Sequence, residues 1–452
     1  VANNFFSQQG ARPNRWSYST KFDHRFNDKN NLFFRLSLDE LSSLTANHVG
    51  NAASPGAGWT GEKNRSVTLD DTYVWKGWVL HGNYGYAHAA NPRRYEAEGE
   101  FRPSSLGLPA AIDSAAQILA FPRVTPAGYA QLSSAAAWHI GNKFETHTAS
   151  GDMSKLFGGH TVKFGGTYRI NRSSNFRPSD PQGFFNFNRI WTRERNNVGT
   201  QGDGIADMLL GLPGGGTITN QPALAVQVIY GAMYLQDDWR VNDRLTLNLG
   251  VRWDSDFPQT ERFDRAGWFD FQSSVPGLAL DGRPVVGGLQ FANRGGNGRE
   301  IKNRDLNNFA PRAGFAYKAT QKLVIRSGGG IFFNPTTGFG PGQDSNITPF
   351  ATLDNPYPLG FNQAENGALG LSTFLGQGIP AVVRTDRTGY SAQWNFNIQY
   401  ELPGDTLFDI AYAGNSGTKL LGINVDLNQL PDEFRALGNQ LAQQVANPFA
   451  GP

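Results

Sequence analysis

The sequence has no cysteine among its 452 residues, which excludes a disulfide framework and any thiolate metal site. Charge is also scarce: 17% of residues are Asp, Glu, Lys or Arg, against about 25% in average soluble domains. The net charge is only +2, so no global field argues for nucleic acid or another polyanion as partner. No run approaches the ~20 apolar residues that a membrane-crossing helix needs. Val1-Ala2-Asn3-Asn4-Phe5-Phe6 carries neither a basic n-region nor an apolar h-region, so it does not read as a secretory signal. The histidines are scattered without metal-ligand spacing and no catalytic constellation stands out. An enzyme is therefore not expected, and no cofactor is implied. His81 and His88 lie seven apart on or near one strand, where a structural role is favoured over a ligand pair. Gly214-Gly215-Gly216 and Gly328-Gly329-Gly330 lack the Lys-Ser/Thr of a phosphate loop. The first reads as loop and the second as part of a strand.

What is abundant is glycine (54 residues), phenylalanine (32) and tryptophan (10), in a chain whose mean hydropathy is still negative at -0.43. The dominant pattern is alternation with period two, which puts apolar side chains on one face of a strand and polar ones on the other. Trp394, Phe396, Ile398, Tyr400 and Leu402 alternate with Asn395, Asn397, Gln399 and Glu401. Leu245, Leu247, Leu249, Val251 and Trp253 alternate with Thr246, Asn248, Gly250, Arg252 and Asp254. The pattern predicts twelve strands, at roughly 15–26, 31–40, 65–76, 78–90, 143–156, 160–171, 226–241, 244–257, 309–319, 322–333, 388–402 and 405–415. Most exceed the ~5–6 residues usual in soluble sheets and reach the ~9–11 that a tilted strand needs to cross a bilayer.

Short and long connections take turns. Asn27-Asp28-Lys29-Asn30, Lys76-Gly77, Gly158-Gly159, Asn242-Asp243, Thr320-Gln321 and Pro403-Gly404 read as hairpin turns. Residues 41–64, 91–142, 172–225, 258–308 and 334–387 read as long loops rich in Gly, Pro, Asn and Ser. Short periplasmic turns and long extracellular loops mark bacterial outer-membrane barrels. In hydrocarbon every backbone polar group needs a partner within the protein, so a spanning sheet must close. The expected fold is therefore all-β, an antiparallel transmembrane β-barrel in contact with outer-membrane lipid, with an apolar outside and a polar lumen. That division accounts for the negative hydropathy.

The stretch from Tyr234 to Asp254, YLQDDWRVNDRLTLNLGVRWD, resembles a recurrent barrel hairpin of TonB-dependent receptors. Ala310-Pro311-Arg312-Ala313-Gly314-Phe315-Ala316-Tyr317 resembles the strand that follows it. Asp203 to Pro213 (DGIADMLLGLP), Tyr18 to Phe26 and the terminal Asn447 to Gly451 resemble segments of the large Oar-like members. The resemblance implies uptake of a scarce, bulky ligand (peptide, glycan or metal chelate) through a barrel of about 22 strands. It also implies energy from TonB, delivered through an N-terminal region. No plug or N-terminal domain of that family is recognised here, so residues 1–452 are expected to be one barrel domain, a fragment of the larger barrel.

Candidate site residues follow from the two faces and the loops. Arg35, Arg169, Arg252, Arg312 and Arg326 are expected to face the lumen, as is Lys163, with Asp39, Asp254 and Glu401. A hydrated wall with cross-strand ion pairs is the plainer reading of that set. Among loop aromatics, Trp59, Trp138, Phe185, Trp191 and Trp268 are the candidates for gripping a ligand, and packing of the loops on one another is the plainer role. A surface adhesion or scaffold protein, whose barrel only anchors long loops, is the alternative function.

Overall fold

The computed structural model describes residues 5–194, 201–220, 223–280, 282–334, 384, 387–420 and 429–444. Eighteen strands follow in chain order: β1 (Arg12–Asn27), β2 (Asn30–Leu44), β3 (Gly58–Trp75), β4 (Trp78–Ala90), β5 (Arg93–Tyr95), β6 (Arg123–Pro126), β7 (Lys143–Phe157), β8 (His160–Asn175), β9 (Phe184–Phe187), β10 (Gly215–Thr217), β11 (Leu224–Arg240), β12 (Leu245–Glu261), β13 (Gly267–Leu280), β14 (Arg283–Phe291), β15 (Phe309–Lys318), β16 (Leu323–Phe333), β17 (Tyr390–Leu402) and β18 (Thr406–Thr418). Two short α-helices are present, α1 (Ala110–Ala115) and α2 (Gly204–Leu209). No helix among the described residues is long and apolar enough to cross a membrane.

Twelve long strands form one antiparallel meander in the order β1-β2-β3-β4-β7-β8-β11-β12-β15-β16-β17-β18. These are the twelve strands expected from the alternation. Among the described residues β1 and β18 do not pair with each other, so each leaves one edge open. The hairpin ends are built by local chemistry. Lys76 and Gly77 both have positive φ (49° and 81°), as a two-residue type I′ turn requires. The Asn242 side chain accepts hydrogen bonds from the amides of Arg244 (2.9 Å) and Leu245 (3.0 Å), holding its turn as an Asx turn. Trp75 and Trp78 flank the Lys76-Gly77 turn, and the Lys76 ammonium lies 5.1 Å from the Trp75 ring. Such amphipathic rings suit the headgroup level.

Along the long strands the large apolar side chains stay exposed: Met233 is 67% exposed and Ile410 56%. In water this would be a severe liability, whereas lipid is the solvent such a face requires. The buried residues concentrate instead at the long-loop rim. The stretch 258–308, expected as a long loop, begins with the end of β12 at Glu261 and then carries the β13–β14 hairpin. Its Ala266, Trp268, Ala292 and Ile301 pack against Val226 of β11. Unbroken pairing of β11 with β8 puts Val226, Tyr230 and Tyr234 on one face, opposite Ser173, Arg169 and Gly165. This is the polar face, so the hairpin folds inward over it. A second loop unit joins β6, β9 and β10 in a three-stranded sheet. Gly214–Gly216, expected as loop, therefore supplies β10 in part, because the glycine backbone passes close to the Phe184 carbonyl.

Candidate functional site: a polar wall under a folded loop cap

Register assigns the faces without ambiguity, because a shift of one residue would turn every side chain over. Arg35 pairs with Thr68, Thr68 with Gly85, Gly85 with Thr148, Thr148 with Arg169, and Arg169 with Tyr230. Arg252 lies opposite Tyr234, Arg312 opposite Gly250, and Arg326 opposite Ala316. The five arginines singled out from the sequence thus share one face, one on each of five strands rather than gathered at a point. Only Arg252 forms an ion pair among the described residues, with Asp254 at 2.9 Å. It also donates to the Tyr230 hydroxyl (2.8 Å), which in turn donates to Asp254. The Arg169 guanidinium lies 5.6 Å from the Tyr230 ring and that of Arg312 4.4 Å from the Phe332 ring.

A further cluster on the same face contains His81 and Lys163, named from the sequence but not connected there with each other or with Asp70 and Asp152. His81 of β4 sits between Asp70 of β3 (Nε2 to Oδ2, 2.8 Å) and Asp152 of β7 (Nδ1 to Oδ1, 3.4 Å). Lys163 of β8 completes the chain at 3.2 Å from Asp152. These residues come from four strands, so only the register could reveal them. His88, by contrast, is an odd number of positions from His81 and so lies on the opposite face, which rules out a ligand pair. Among the described residues no group of three His, Asp or Glu side chains could hold a metal.

The five loop aromatics divide sharply. Trp268 is 2% exposed, with the Arg384 guanidinium 4.2 Å from its ring, so it is a core residue of the cap and cannot reach a ligand. Trp59 donates to the Ser42 hydroxyl (2.8 Å), and Trp138 faces the Arg93 guanidinium at 5.1 Å. Both are half-buried, and Trp59, expected in a loop, lies within β3 and bonds to β2. Phe185 lies half-buried in the small sheet, beside Gly183 and Gly216. Trp191 alone of the five is mainly exposed, at 57%, with its indole N–H donating to the Pro213 carbonyl (3.2 Å).

Two buried carboxylates fix the cap. Glu261, at 1% exposure, accepts from the amides of Ala225 (3.0 Å), Phe263 (2.7 Å) and Arg265 (2.9 Å). Asp180 accepts two bonds from Arg123 (2.7 and 2.9 Å), tying loop 91–142 to loop 172–225. Asp203 caps α2 through the amides of Ile205 (2.7 Å) and Ala206 (3.2 Å). The Tyr129 hydroxyl donating to Asp203, followed by those amides, holds its carboxyl below the usual carboxylate range. In turn, the same bond raises the Tyr129 phenol.

Comparison with known proteins agrees with this architecture. Residues 1–451 match the family described as outer membrane beta barrel domain. No curated protein matches the sequence. The outer membrane transporter YddB from Escherichia coli is similar in structure, with TM-score 0.48 and 12% identity, over 89% of this chain and 40% of that one. The alcaligin outer membrane receptor FauA from Bordetella pertussis gives TM-score 0.41 and 11% identity, over 90% and 53% of the two chains. The ferric yersiniabactin uptake receptor FyuA from Yersinia pestis gives 0.41 and 10%, over 90% and 45%. The chain thus spans about half the length of these solved proteins, or less.

Proposed function

The chain belongs to the outer membrane beta barrel domain family, and on that premise we propose that it is barrel wall and loop cap of a TonB-dependent uptake receptor in the bacterial outer membrane. The observation that carries the reading is the cap. A barrel that served only as an anchor has no need of a hairpin packed inward against its polar face, as β13–β14 is against Val226. A receptor needs such a loop, because binding groups on loops held by a rigid scaffold can close over a ligand. In this reading the polar face is the lumen wall, lined by Arg35, Arg169, Arg252, Arg312 and Arg326. The exposed Trp191 is the ligand contact of the loops, and the ligand is a bulky peptide, glycan or metal chelate. Energy enters from TonB through a region N-terminal to this chain.

The test is growth on a panel of peptides, glycans and ferric chelates, each as the limiting nutrient, after deletion of the encoding gene. Receptor function predicts loss of growth on one class, reproduced by loss of TonB. Unchanged growth on every class, together with loss of surface adhesion, would replace the receptor by an anchored scaffold.

A further inference from the structure

We propose that the concavity around Arg312 on the polar face is a binding site for a small soluble anion bearing phosphate or carboxylate groups. The proposal rests on that face being open to water, and goes beyond the receptor reading by assigning a ligand chemistry to one place on the wall. Arg312 pairs with Gly250 on one side and Gly330 on the other. In the next polar-face row Gly314 pairs with Asn248 and Gly328. Gly250 and Gly314 thus leave bare floor beside the Arg312 side chain in a cavity of about 450 Å³ reaching from Lys163 to Arg312, and Gly328 and Gly330 continue that floor on the neighbouring strand. That volume falls in the range of small-molecule sites.

The guanidinium is held but not neutralised. It lies 4.4 Å from the Phe332 ring, and a Cβ at residue 330 would come within 2.8 Å of Arg312 Cγ, so glycine there is what permits this course. The nearby carboxylates are engaged elsewhere. Asp254 is bound by Arg252 and Tyr230. Asp238 accepts from Asn248 (2.6 Å) and Gln236 (3.3 Å), and Asp409 from Asn397 and Gln399 at 2.6 Å each. Asp152 is bound by Lys163. Arg312 itself has no ion pair among the described residues. A planar guanidinium with its donors unspent recognises phosphate or carboxylate in bidentate fashion.

Calorimetry on the purified full-length protein in detergent, with inorganic pyrophosphate and succinate as separate probes, tests this and separates the phosphate from the carboxylate preference. Saturable binding of at least one probe is expected. Arg312→Gln should weaken it about tenfold or more, as loss of a charge-assisted pair does, and Arg312→Lys should keep part of it. Gly330→Val should weaken it as well, by displacing the guanidinium without removing its charge. Lys21→Gln, a charge loss on β1 remote from the cavity, should leave it unchanged. The proposal is overturned if neither probe saturates at millimolar concentration, or if Arg312→Gln and Gly330→Val, each retaining the far-UV strand signal, bind like the parent. Neither outcome bears on the growth test, so the receptor reading stands or falls separately.

Discussion

Replacing Glu261 by alanine should release the loop cap while leaving the long strands paired. The Glu261 carboxylate is 1% exposed and accepts three amide hydrogen bonds, spanning the end of β12, the start of the loop and β11. Leaving a buried donor unsatisfied costs roughly 1–3 kcal/mol. Three such donors, with partial access of water after the loop relaxes, place the cost at about 3–5 kcal/mol. Because 1.4 kcal/mol is a factor of about ten, amide exchange at Ala225, Phe263 and Arg265 should accelerate by about two to four orders of magnitude. Hydrogen exchange read by mass spectrometry on the detergent-solubilised protein measures this directly. Peptides from β15 and β16 serve as the internal reference and should exchange as before. Glu261→Gln should give a smaller acceleration, since its amide group offers one acceptor oxygen where the carboxylate offers two. If the three amides exchange in Glu261→Ala as they do in the parent, the clasp contributes nothing and the assignment is wrong.

The remaining predictions concern the aromatics and the α2 cap. Trp268→Ala should destabilise the cap by about 3–5 kcal/mol, the usual cost of removing a buried Trp ring, seen as rapid proteolysis of loop 262–308. Trp191→Ala should leave proteolysis unchanged and, on the receptor reading, impair growth on the limiting nutrient. The depressed Asp203 carboxyl contributes stability that is fully present above its unfolded-state value and is lost as pH falls through the lower folded value. Protease resistance of the α2 segment should therefore decline only below the ordinary carboxyl value of 3.8, and Tyr129→Phe should move that decline to higher pH.

The twelve long strands were legible because a sheet with lipid on one face and water on the other must alternate throughout its length. The ends were less so. The strand read as 65–76 runs from Gly58, and that read as 160–171 runs to Asn175. At the long-loop rim both faces leave the bilayer, the alternation fades in stretches such as Gly58 to Asn64, and backbone pairing continues without it. The five arginines were placed on one face by parity alone. The His81 chain was not visible, since Asp70, His81, Asp152 and Lys163 meet only through the register of four strands. The loops were hardest to read. Their small sheet includes a parallel pairing of β6 with β9 across about 60 residues, and such non-local contacts leave no short-range period. Trp268 shows the consequence: a loop tryptophan suggests a ligand contact, and only the packing of Val226, Ala266, Ala292 and Ile301 shows it to be core. The terminal Asn447-Gly451 motif lies outside the described residues.

The central claim is that one face of the twelve-stranded sheet meets lipid and the other meets water. Residues 1–452 contain no cysteine, which allows a direct test: an introduced thiol is unique within them, and any cysteine elsewhere in the full-length protein is first replaced by serine. Single cysteines at Leu247, Asn248, Leu249, Gly250, Val251 and Arg252 of β12, in the full-length protein in membranes, would be exposed to a membrane-impermeant maleimide. Labelling should follow the even positions 248, 250 and 252 and spare the odd ones 247, 249 and 251. Equal labelling at all six, or labelling of the odd set alone, would contradict the account.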